Sequence, residues 1–492
     1  MKKSVITGAS ILALAAASPA VAQNNSSTID QIGDNATATV NQTGQGDSSI
    51  ILQEAADNTA TVNQAGGLGG SSNISQTGSA NTATVTQTDD GDDSYYGGNS
   101  VPPSYTSAIN QSGDNNSATV DQNTQTQLFG NASTINQSGS NNIAGVTQFD
   151  DEQSSLVDQE SDNNFASVSQ GVSQTTGDTS YNNDSQVYQG GNGSHSATVT
   201  QSGAVNGSVI VQGGEFNTAI VDQSGDGNSS SIGQRSLNEY AAVSQSGNSN
   251  TSIVEQQAEG NVALVNQSGN GNFSDILQNA NLNEAQVDQS GSDNSSTIAQ
   301  SSTAGAGALN QSLGSATPMT LPNATSFVEV NQSGNGNSSD IDFDGAANFA
   351  AIDQQGDGNQ SNVVSTGNIT IAFVDQIGDN NLSNINQSGF NINNSFAARV
   401  TQNGDDNESN LIQPGDNLFA SVFQDGDRNL SNITQDGSDN TANVDQLGDD
   451  NVSNITQGGS LNSATVLQTS DGNTSTITQN GTGNTATVTQ GM

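Results

Sequence analysis

The apolar and polar positions of this chain alternate in short stretches, with a period of two rather than the period of a helix. In NTANVDQ (440–446), Asn440, Ala442, Val444 and Gln446 share one parity, and Thr441, Asn443 and Asp445 share the other. Side chains on a strand point to opposite faces in turn, so the first set predicts a common interior and the second a solvated face. NVSNITQ (451–457) repeats the alternation with Ser453 and Ile455 in place of alanine and valine. NSATVLQ (462–468) returns to Ala and Val, NTSTITQ (473–479) to Ser and Ile, and NTATVTQ (484–490) to Ala and Val. The full repeat is therefore a Ser/Ile strand, a turn, an Ala/Val strand and another turn. Clusters such as Gly437-Ser438-Asp439 and Gly448-Asp449-Asp450 supply the turn chemistry.

Glutamine closes each strand and recurs every eleven residues at Gln201, Gln212, Gln223, Gln234, Gln245, Gln256, Gln267, Gln278, Gln289, Gln300 and Gln311. A second series runs Gln402, Gln413, Gln424, Gln435, Gln446, Gln457, Gln468, Gln479 and Gln490. This periodicity predicts an all-β solenoid of about twenty two-strand rungs, a rod on the order of 95 Å long at about 4.8 Å per strand. Identical stacked rungs let a thin core become continuous, and let buried Asn and Gln amides bond to their counterparts above and below. The candidate ladder and assembly residues are Gln31, Asn35 and Gln42 near the start, and Gln201, Gln212, Gln223, Gln234 and Gln245 midway. Toward the end they are Asn440, Gln446, Asn451, Gln457, Asn462, Gln468, Asn473, Gln479, Asn484 and Gln490.

Breaks in the period mark insertions. The stretches 88–104, 123–130 and 171–182 each fall between an Ala/Val strand and a Ser/Ile strand, so all three should leave the ladder at the same edge. The region 312–325, with Pro318 and Pro322, fits worst and is expected to hide one degenerate strand.

The N-terminus adds a compartment. Lys2 and Lys3, the apolar run 11–17 and Ala20-Val21-Ala22 form the three-part pattern of a secretory signal over 1–22, leaving 23–492 as one repeat domain. The run is too short to span a bilayer, and no later segment is longer. Without Lys2 and Lys3 the chain has three arginines against 49 acids, a net charge of 3 − 49 = −46. Nothing is available to neutralise phosphates, so nucleic acid is excluded as a partner. There is no cysteine to staple the fold.

QSGDNNSATVDQ (111–122) and QDGSDNTANVDQ (435–446) resemble the curlin repeat, and the resemblance extends over nearly all of the mature chain. It implies a subunit of curli: export through a dedicated outer-membrane pore, then nucleated assembly into amyloid fibres, pilus-like structures at the cell surface that serve adhesion and biofilm. The partners it implies are further copies of the chain and the curli-type export and nucleation machinery. In that family internal Gln and Asn positions govern assembly, and the matching positions are Asn35, Gln42, Asn440 and Gln446. Two departures stand out: this chain has many more repeats, and NSSTIDQ (25–31) begins almost at the cleavage site.

Catalytic chemistry is not expected. His195, the single histidine, opens HSATVTQ where other repeats carry asparagine, and reads as a substituted ladder position. No nucleophile elbow, metalloprotease or nucleotide motif occurs, so neither enzyme activity nor a cofactor is expected. The acidic turns 89–93 and 404–408 read as solvated loops that attract divalent cations without a specific site. Phe165, Phe273, Phe349 and Phe419 fall on the outward parity, where they could join filaments side by side. Two other functions fit a secreted solenoid: binding a regular surface such as ice through Thr485, Thr487 and Thr489, or calcium-dependent adhesion.

Overall fold

A computed structural model describes residues 24–66, 69–89, 105–124, 130–171, 181–301, 326–389 and 397–491. Among them every regular element is a strand, 38 in all, from Ser26–Gln31 to Thr485–Gln490. The chain divides into two compact units, Met1–Glu215 and Phe216–Met492.

Within the first unit successive strands alternate between two parallel sheets. Strands of the Ser/Ile type pair only with one another, so that Ile51, Ile74, Ile109 and Ile135 lie in register. This is the serine sheet. The Ala/Val strands form the alanine sheet, in which Val62, Val85, Val120, Val146 and Val168 stand in one row. The second unit is built the same way. There Val221, Val243, Val265, Val287 and Val330 line the alanine sheet, and Ile276, Ile298 and Ile341 the serine sheet.

Parity decides what is buried. Asn440, Ala442, Val444 and Gln446 are all 0% exposed, as the alternation requires. One turn of the solenoid buries an Ile, a Val, an Ala and a Ser, and a fully buried branched side chain contributes only about 1.5–3 kcal/mol. Fixing the backbone costs about 1–2 kcal/mol per residue, so no turn is stable alone and each depends on its neighbours.

The turns after the alanine sheet are closed by stacked glycines. Gly247 has φ +100°, and a Cβ there would lie 2.1 Å from the Gly269 carbonyl oxygen of the next turn. Gly356 is held in the same way, at φ +113° and 2.2 Å from the Gly378 oxygen. Two residues on, a left-handed residue such as Ser249 or Asn380 completes the reversal.

The expected insertions lie mostly outside the described residues, at 90–104, 125–129, 172–180 and 302–325. Their flanks are described. Thr82–Asp89 leads to Thr106–Gln111, Ser117–Thr124 to Ala132–Gln137, and Phe165–Gln170 to Asp184–Gln189, each time from the alanine sheet to the serine sheet. The degenerate strand expected in 312–325 falls outside the described residues; around it Ser295–Gln300 pairs with Ser338–Phe343, and Asn283–Ser292 pairs with Ser326–Asn335. Residues 390–396, between Leu382–Gln387 and Ala398–Asn403, interrupt the period at a site the repeat did not single out.

Candidate assembly surface

The closing glutamines form ladders along both sheets. Each Nε2 donates to the Oε1 of the glutamine one turn further on: Gln223 to Gln245, Gln245 to Gln267 and Gln267 to Gln289, all at 2.8 Å. Gln234 does the same to Gln256 at 3.0 Å. The second Nε2 hydrogen goes to a carbonyl across the core, as from Gln245 to Ser229 O at 3.0 Å. One amide thus ties two successive turns and both sheets. The ladder is directional, because donors face later turns and acceptors face earlier ones.

Asparagines also bond to their counterparts one turn away, amide to amide at Asn250–Asn228, Asn473–Asn451 and Asn484–Asn462, but more regularly through the backbone. In the slot just before each strand, Asn Oδ1 accepts the backbone N–H of its counterpart one turn on. In the serine sheet of the second unit this relay runs without a gap through Asn228, Asn250, Asn272, Asn294 and Asn337. It continues through Asn359, Asn381, Asn407, Asn429, Asn451 and Asn473. Asn Nδ2 commonly donates to a glycine carbonyl of the neighbouring turn, as Asn359 does to Gly378 O at 2.7 Å. The sequence held the signal, an asparagine six residues before most closing glutamines, but only the later members of this column were singled out from it.

The other candidate positions fall into place individually. Gln201 Oε1 receives Gln170 Nε2 at 2.9 Å, and Gln212 Oε1 receives Gln189 Nε2 at 2.8 Å. Gln446 donates to Gln468 at 3.0 Å, Gln457 to Gln479 at 2.9 Å and Gln468 to Gln490 at 2.8 Å. Asn440, Asn462 and Asn484 form successive relay links at 2.9 and 3.0 Å. Asn35 is corrected. It occupies the exposed left-handed position at φ 56°, bonded to Asp57 Oδ1 at 3.2 Å, and Ala36 takes the relay slot of that turn.

Several slots carry other residues. His195 stands in the asparagine slot, 1% exposed, with its N–H on Asn164 Oδ1 at 3.0 Å and its Nε2 2.7 Å from Gly190 O. Burial lowers its pKa, against the opposing influence of Gly190 O and Glu215. Asp47 and Glu239 also replace asparagines and are buried, and burial raises the pKa of both. Phe343 and Ser365 interrupt the glutamine column of the serine sheet. Beside them Thr370 fills an asparagine slot, its Oγ1 within hydrogen-bond reach of Ser365 Oγ and 2.9 Å from Asn348 Oδ1.

The outward aromatics divide. Phe165 is 42% exposed, whereas Phe349, likewise on the outward parity, is only 8% exposed. Register places Phe327 and Ile371 in its own outward column. Its ring stacks 5.5 Å from Phe327 and lies tilted 5.3 Å from Phe373.

The edge strands expose what the interior hides. Ser26–Gln31 is exposed at every residue, and inward Ala38, Val40 and Gln42 of the next strand are only half-buried. At the other edge the inward Ala486, Val488 and Gln490 are likewise half-buried, against full burial of Ala464, Val466 and Gln468 one turn earlier. Gln31 Nε2 donates to Gln53 and Gln42 Nε2 to Gln64, which leaves the Gln31 and Gln42 carbonyl oxygens facing outward along the ladder. At the far edge Gln479 and Gln490 receive from the preceding turn and give one Nε2 hydrogen to Ser463 O and Thr474 O respectively, which leaves the second hydrogen of each for a following turn.

The family model described as the Curlin associated repeat matches residues 33–66, 415–448, 448–481 and 462–491. No curated protein matches the chain. Between the matched segments the same register continues, as in Gln245, Gln267 and Gln289.

Proposed function

We propose that this chain, whose residues 33–66 and 415–491 match the Curlin associated repeat, is a secreted, non-enzymatic subunit of an extracellular fibre serving adhesion and biofilm matrix. The fibre grows end to end, each copy templating the next, after export by curli-type machinery. One observation carries the reading: the two edges are unfinished and complementary. Gln31 and Gln42 offer acceptors at one edge, and Gln479 and Gln490 offer donors at the other. A second copy placed in register extends both glutamine ladders and pairs the open strand backbones. A contact between unlike surfaces that does not close generates an open filament rather than a ring.

The test reverses one edge. In the double variant Gln479→Glu, Gln490→Glu the donors become carboxylates that meet the acceptors of the next copy. Elongation on preformed seeds is expected to slow by about tenfold or more, since an unpaired charged group costs more than a lost neutral hydrogen bond. Elongation at the parental rate overturns the proposal.

A further inference from the structure

The asparagine relay of the alanine sheet carries one acidic residue in the second unit. Asn217 Oδ1 accepts the Glu239 N–H at 2.9 Å, and Asn261 Oδ1 accepts the Asn283 N–H at 2.9 Å. Glu239 stands between these links and does not pass the relay on. Its Oε2 turns back to the Ser236 N–H at 2.9 Å. Its Oε1 accepts no hydrogen bond although the residue is only 1% exposed.

An asparagine in this slot both accepts and donates. Asn217 Nδ2 gives a hydrogen to Ser236 O and Asn261 Nδ2 to Ala258 O, each at 2.8 Å. A carboxylate can only accept, whereas a carboxylic acid has one hydrogen to give. An ionised Glu239 therefore keeps a buried Oε1 with no donor facing it, and a protonated one has a hydrogen to give, as the asparagine amide has.

The surroundings offer no counter-charge. Arg235, on the same turn, is exposed and paired with Glu255 at 3.2 Å. Asp222 and Tyr240 on the alanine sheet point outward, and Glu259 on the next turn is exposed. Glu215 precedes Asn217 by two residues in the chain and is of the same sign. Burial pushes the Glu239 carboxyl up to about 7, while the Ser236 and Arg235 backbone N–H groups act in the opposite direction.

We propose that Glu239 is a proton-operated latch: protonated, it closes the turn stack formed by Ser236–Glu239 and Ala258–Asn261; ionised, it loosens both turns. The proton exchanges with solvent and no covalent bond changes. The latch acts within one turn stack and operates whether or not the chain polymerises.

Hydrogen exchange of the full-length chain, read by mass spectrometry, tests it. Protection in peptides spanning 229–262 is compared with protection in peptides spanning 440–468 at pH 5.5 and at pH 8.5. The ratio is expected to fall by about tenfold or more as pH rises, with its midpoint near neutrality. In Glu239→Gln and Glu239→Asn the ratio stays flat, because neither side chain ionises. A flat ratio in the parental chain overturns the latch, even if both variants fail to fold. The same fall persisting in a folded variant overturns it as well.

Discussion

A single glutamine in the middle of a ladder has obligations on three sides. Gln267 receives Gln245 Nε2, donates to Gln289 Oε1 at 2.8 Å and reaches Thr251 O at 3.1 Å. Gln267→Ala strands all three partners in a dry interior, with an expected loss of about 3 kcal/mol readable from a shift in denaturation midpoint. Outward positions of the same strand carry no such obligation: Asn266 is exposed, and Asn266→Ala should cost less than about 0.5 kcal/mol. Glu239 adds a pH term of definite sign. Its folded-state pKa of about 7 lies above the usual 4.5, so its contribution is full below about pH 4.5 and is lost as pH rises through 7. The difference is about 3 kcal/mol at alkaline pH, and Glu239→Gln should remove it from a stability profile measured between pH 5 and 8.5. At this scale the sequence was legible where parity alone decides, as for Asn440 and Gln446. It was not legible where neighbours decide. Asn35 matches the repeat by residue type but stands one position early, and Phe349 is buried because Phe327 and Ile371 occupy the same column.

Strands and turns were the most legible level, because a period of two and a closing glutamine specify face and register together. Where the repeat is interrupted, register survives. Gln289 bonds Gln332 across 43 residues at the same 2.8 Å as neighbours 22 apart. Removing 43 − 22 = 21 residues from 302–325 should therefore leave the ladder intact, with a change of about 1 kcal/mol or less in stability. Deleting one residue inside Asn283–Ser292 should instead turn every later inward side chain of that strand outward. Circular dichroism and denaturation of the two deletions distinguish these outcomes. The missed interruption at 390–396 has a physical reason: its flanks, LSNINQ and ARVTQN, both read as good strands, and only the spacing between Gln387 and Gln402 marks it. The asparagine relay was missed in its mechanism because sequence shows which residues stack, but not whether an amide meets an amide or a backbone.

For the whole chain, charge opposes what the ladders favour. The formal net charge is −44, and two copies approaching each other must overcome it. Proton binding works in the same direction as assembly: burial raises the carboxyl pKa of Asp121, Asp158, Asp275 and Asp445, so their protonated forms suit the folded state. Elongation should therefore accelerate with added salt and at pH 5 relative to pH 8, and rates indifferent to both would separate assembly from electrostatics. The central claim is that stacked turns of one copy continue into the next. Its most direct measurement follows purified chain of residues 23–492 diluted from denaturant by thioflavin fluorescence, with and without preformed seeds, and then takes fibre diffraction from the product. The account predicts that seeds abolish the lag and that the fibres diffract at about 4.8 and 10 Å. A folded chain that stays monomeric and ignores seeds would contradict it.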